Sequence, residues 1–139
     1  MKLTKFALAA LITASGFALT AVAEDDDNVK LPPPSSKTGV TYDTDVKAIF
    51  DASCVKCHSG DHPKARLHMD TLAGVLKGSK EGAIVKPTDS ANSFMVKAVA
   101  HATEDHDSWM PPLGNKAGIK PLTPDQIGLI RAWIDQGAK

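Results

Sequence analysis

Apolar residues fall at helical spacing in four short stretches of this chain. The first is Val46, Ile49, Phe50 and Cys54, with Thr41 or Asp43 placed to cap the helix start. Leu72, Val75 and Leu76 predict a second helix over 70–77, with Gly78 as its terminator. Phe94, Met95, Ala98 and Val99 predict a third, from Asn92 to about Ala102, with Ser90 as a possible cap and these four as buried candidates. The last is the clearest. Thr123-Pro124-Asp125-Gln126 reads as a capping box with proline at the first helical position. Ile127, Ile130 and Ile134 then share a face beside Leu129 and Trp133, and Gly137 ends the helix. Ile84-Val85-Lys86-Pro87 reads as an extended connector, because a residue before proline avoids helical angles. No stretch alternates convincingly, so the pattern predicts an all-α domain of about four short helices.

The N-terminal part follows another pattern. Lys2 and Lys5 precede the uncharged, apolar run Phe6–Val22, the small-residue site Ala21-Val22-Ala23 and the acidic run Glu24–Asp27. The first three of these predict a secretory signal peptide over residues 1–23. An apolar run of about 17 residues broken by Thr, Ser and Gly is marginal for a membrane anchor. Residues 24–39, with Pro32-Pro33-Pro34 between polar flanks, read as a flexible spacer. The compact domain is expected over 40–139.

The chain of 139 residues carries 16 basic and 16 acidic side chains. Cleavage after Ala23 would leave 14 basic against the same 16 acidic, a net charge of −2. Nothing in that balance points to nucleic acid or an anionic membrane surface. No second segment could span a membrane.

The two cysteines are the most informative letters. A disulfide closing so small a loop would stabilise little, which points to chemistry rather than stapling. Cys54-Val55-Lys56-Cys57-His58 is a C-x-x-C-H run, the c-type haem attachment motif. The spacing lets two thiols reach two vinyl groups of one porphyrin while the next residue places an imidazole under the iron. A thioredoxin-like pair would want a βαβ setting, and a zinc site would want two more ligands at defined spacing. His62 and His68 do not supply that spacing. One covalent haem would also serve as apolar filling for a domain with only 5% aromatic residues.

His58 leaves the sixth iron position open. Met69, Met95 and Met110 are the candidate thioethers. Met110 is favoured because Pro111 and Pro112 hold its loop stiff, whereas Met69 follows His58 closely and Met95 sits on a helical apolar face. His101 and His106 compete with it, although both read as solvated surface histidines. Arg66 could pair with a haem propionate through a forked guanidinium, and Trp109 could donate its indole N–H.

On these residues the chain resembles class I cytochromes c, and more narrowly the planctomycete-type cytochrome c domain. The similarity runs through Phe50, Cys54 to Gly60, Arg66-Leu67, Gly78, Ala83-Ile84-Val85, Ser93, Met110-Pro111-Pro112, Leu122-Thr123 and Trp133 to Ala138. It implies a class I cytochrome c-like fold whose first and last helices cross through Phe50 and Leu129 or Trp133. It also implies Met110 as axial ligand. Where the family often has Gly-Gly and Pro-Gly, this chain has Gly78-Ser79 and Pro87-Thr88.

The expectation is an exported, periplasmic electron carrier with one haem c, exchanging single electrons with exported or membrane-bound redox proteins and performing no catalysis. The alternative is a haem enzyme or ligand sensor with an open sixth position, using His101, Glu104, Asp105 and His106 as distal groups. A non-haem module closed by a Cys54–Cys57 disulfide is a third reading. Glu104, Asp105 and Asp107 could steer a basic partner, although a solvated loop is the simpler reading.

Overall fold

A computed structural model describes residues 30–139. The expected signal peptide over 1–23 and the first part of the expected spacer, 24–29, lie outside the described residues. The remainder is helical and, among the described residues, forms no strand. A π-helical turn, Tyr42–Val46, leads into α1, Lys47–Ser53. Short helices α2, Leu72–Lys77, and α3, Phe94–Val99, follow. The longest helix, α4, is Pro124–Asp135.

The first and last helical segments start on their expected chemistry. Thr41 caps the first turn by accepting from the Thr44 N–H, and Asp45 accepts from the Thr41 N–H at 3.0 Å. Thr123 and Gln126 form the reciprocal capping box, and Pro124 stands where no intrahelical N–H is needed. Gly78 and Gly137 follow α2 and α4 with positive φ.

The core closes where the first and last helices meet. Tyr42, Phe50 and Trp133 form a triangle with ring centroids 6.1 Å apart for every pair, Phe50 and Trp133 meeting edge-on at 81°. Such pairs add about 0.5–1.5 kcal/mol beyond their buried area. The crossing therefore runs through Phe50 and Trp133, and Leu129 only packs at its margin. Ile49, Ile127, Ile130 and Ile134 complete the core from both helices. α3 packs on α4. Ser90 donates two bonds to the Asp135 carboxylate there, and Arg131 donates to Ser90 Oγ at 3.0 Å.

Three expectations are corrected. α3 is shorter than expected and begins at Phe94, so its buried face comprises Met95, Val96, Ala98 and Val99, while Phe94 is 47% exposed. Ser93, not Ser90, precedes α3, and its hydroxyl bonds Lys86 and Asp89 backbone atoms instead of capping it. Leu76 is likewise 40% exposed, because a helix of six residues buries only Val75 deeply.

The proline stretch is the third. Residues 31–39 are not a free spacer but lie along α4. Ser35 N–H donates to Gly128 O at 2.8 Å, Arg131 Nη1 donates to Pro32 O, and Leu31 packs on the core. Gly128 permits this approach, since a Cβ there would stand 2.8 Å from Pro33 O. Three prolines have no N–H to lose and little freedom to surrender, so their carbonyls are available to the helix at low entropic cost.

Candidate functional site

α1 delivers Cys54 as its C-terminal cap, and the chain then folds tightly on itself. Cys57 and His58 N–H groups both donate to Cys54 O, at 3.1 and 3.0 Å. This turn sets the three side chains of the C-x-x-C-H run on one compact scaffold. Cys54 is buried and Cys57 half-buried, and both are free thiols. Burial, with a smaller contribution from the Cys57 charge, pushes the Cys54 thiol up to about 12. A thiol held that firmly protonated is a poor partner for disulfide exchange.

His58 is clamped by backbone alone. Its own carbonyl accepts from Met69 N–H at 2.8 Å, and Lys64 N–H donates to Cys57 O at 3.0 Å. That returning loop sets the Lys64 carbonyl 3.1 Å from His58 Nδ1. A carbonyl only accepts, so Nδ1 carries the proton and Nε2 the free lone pair. Nε2 has no hydrogen-bond partner among the described residues. Burial lowers the His58 pKa, and the Lys64 carbonyl opposes that shift only partly. The imidazole is therefore held neutral, the form that binds a metal. Two free thiols and an oriented imidazole with one unpartnered nitrogen fit a covalently attached haem. Cys54 and Cys57 would hold the porphyrin as thioethers, and His58 Nε2 would bind its iron.

The candidate sixth ligands lie on different parts of the chain. Met110 N–H donates to Ala98 O at 3.0 Å, which anchors the loop to the helix, and the half-buried side chain packs against the core. Met69 and Met95 are each 4% exposed within the core, the packing role expected of Met95. Trp109 spends its indole N–H on Thr103 O at 3.2 Å, inside its own loop. Its ring also packs on His101 and His106. Arg66 is exposed on a turn, Lys64–Arg66, and its side chain makes no ion pair or hydrogen bond among the described residues. It lines an open hollow of about 380 Å³ with Asp61, His62, Pro63, His68 and Lys77. The structure thus joins Cys54, Cys57 and His58 in one turn, sets Met110 on α3, and leaves Arg66 and Trp109 in separate surroundings.

Two features escaped the sequence reading. The partner of His58 is a backbone oxygen, which no side-chain letter marks. His101 was read as a solvated histidine, yet its Nε2 is buried without a partner.

Helical architecture, a C-x-x-C-H turn and a clamped imidazole define a haem-containing c-type cytochrome domain. Residues 54–114 match the family described as Planctomycete cytochrome C, which supports a cytochrome c domain there. The match begins at the first haem cysteine and ends just beyond Met110. The chain is 28% identical over 99 residues to the cytochrome subunit of fructose dehydrogenase from Gluconobacter japonicus, a match covering 71% of this chain and 20% of that subunit. It thus spans about a fifth of that relative's length. Hydrazine synthase of Kuenenia stuttgartiensis is similar in structure, with a TM-score of 0.50 and 23% identity, over 71% of this chain and 16% of that one. This second likeness is one of fold. Among the described residues no helix is long and apolar enough to cross a membrane.

Proposed function

We propose that this protein is a periplasmic mono-haem electron carrier, with His58 and Met110 as the two axial ligands. When bound, the haem supplies a one-electron iron couple. The chain supplies the rest. The hydrogen bond from His58 Nδ1 to Lys64 O fixes the ring and raises the basicity of Nε2. A thioether opposite it favours the reduced state and raises the potential relative to a second histidine. Buried Leu67 and Met69, beside the same loop, help to exclude water. The observation carrying this reading is the clamped His58 imidazole, and the anchoring of the Met110 loop on Ala98 supports its second ligand. Redox proteins are the partners, and the fructose dehydrogenase relative makes an exported dehydrogenase a reasonable electron donor.

Absorption spectra of the exported protein, oxidised and reduced, test the reading. A low-spin spectrum is expected, with a weak far-red thioether-to-iron band that Met110→Ala abolishes. A high-spin spectrum that responds to carbon monoxide or peroxide would instead favour an enzyme or ligand sensor with an open iron.

A further inference from the structure

His101 occupies an unusual position at the end of α3. The Ala102 N–H donates to Lys97 O at 2.8 Å and the His101 N–H to Ala98 O at 3.2 Å. That pair of bonds is a Schellman ending, in which the residue at the His101 position adopts a left-handed conformation. Glycine normally fills it. Here a histidine does, at φ 53°. The residue is only half-exposed in return. It stacks on Trp109, with centroids 4.9 Å apart and planes 7° from parallel, and its Nε2 is buried without a hydrogen-bond partner.

A buried ring nitrogen left unpaired costs about 1–3 kcal/mol, and a side chain in a glycine position adds strain. Neither cost improves helix termination, which glycine would provide unaided. The placement relative to Met110 is specific. Ala98 O accepts from the N–H groups of both His101 and Met110, so both residues leave the backbone from one point. Trp109 joins them, bonded covalently to Met110 and stacked on His101.

We propose that His101 is a reserve axial ligand, which binds the iron through Nε2 when the Met110 thioether leaves it. This inference rests on the reading of Met110 as the ligand. The exchange breaks one iron–sulfur coordinate bond and forms one iron–nitrogen bond from a neutral imidazole lone pair, with no change in the electron count of the iron. A second imidazole favours the oxidised state relative to a thioether. Displacement of Met110 would therefore lower the potential and keep the iron closed to small ligands.

The test uses the haem-loaded protein and the spin state of its iron. Met110→Ala should lose the thioether band yet remain low-spin, and Met110→Ala combined with His101→Gly should become high-spin and bind carbon monoxide. His101→Gly alone should keep the thioether band and a thermal midpoint no lower than that of the parent, because its backbone conformation suits glycine. Met110→Leu, closer in volume, repeats the test should the alanine variant fail to fold. A high-spin Met110→Ala protein overturns the proposal, as does a double variant that stays low-spin. A Met110→Ala spectrum identical to that of the parent refutes Met110 ligation itself, and the reserve role falls with it.

Discussion

The Nδ1 atom of His58 lies 3.1 Å from the carbonyl oxygen of Lys64, six residues further along the chain. This contact makes a returning loop of backbone part of the proposed iron site. The loop returns because Lys64 N–H is itself bound to Cys57 O, so the haem turn orients its own histidine. Any side chain but proline at position 64 can leave that bond in place. Its persistence depends on the path of residues 59–64 rather than on the lysine.

The seating of the proline strap on α4 gives a test with an inverted sign. Alanine is ordinarily preferred to glycine inside a helix by roughly 0.5–1 kcal/mol. At Gly128 the added Cβ would meet Pro33 O at 2.8 Å. Gly128→Ala is therefore expected to destabilise the protein by about 1–2 kcal/mol, as overpacking does. Urea denaturation reads the change, and a gain in stability would show that the strap does not rest on the helix.

Thr88 replaces the glycine of the family's Pro-Gly pair. It adopts φ 69°, which a β-branched residue takes up only at a cost, while its N–H donates to Ile134 O at 2.8 Å. The side chain is exposed, so little packing would be lost with it. Thr88→Gly should relieve about 1–2 kcal/mol of strain and lose part of that to a freer unfolded chain, for a net gain of roughly 0.5–1 kcal/mol. A raised thermal midpoint is the expected result, and a lowered one would mean that the turn is not strained.

Much of this arrangement was legible in the letters. The capping box of α4 and the Phe50–Trp133 crossing both come from local pattern or from family resemblance, and both are present. The strap was missed because prolines between polar residues look alike whether they are free or docked. Only the small residue at 128, distant in sequence, distinguishes the two cases. Phe94 was misplaced because helical periodicity gives a face but not the residue at which a helix begins. His101 was misread for a related reason: its burial comes from Trp109, stacked on it from the next loop.

Acid should weaken the start of the first helical segment. The Lys37 side chain, then the Thr41 N–H and the Thr44 hydroxyl, hold the Asp45 carboxyl down from 3.8 to about 2. A depressed value means that the folded state favours the carboxylate. Its contribution is complete above 3.8 and disappears as the pH falls through about 2. Thermal midpoints recorded from about pH 5 to about pH 2 should fall less steeply for Asp45→Asn than for the parent, with the variant less stable at the upper end. Parallel curves would show that Asp45 is not held by these groups in solution.

The central proposal is covalent attachment of one haem at Cys54 and Cys57, and intact mass measures it directly. The protein, exported by a host that attaches haem and denatured in acid to release anything held without a bond, should weigh the polypeptide plus one haem. Cys54→Ala with Cys57→Ala should weigh the polypeptide alone. A parent protein that retains no haem mass under the same conditions would contradict the assignment of this turn as a haem-attachment site.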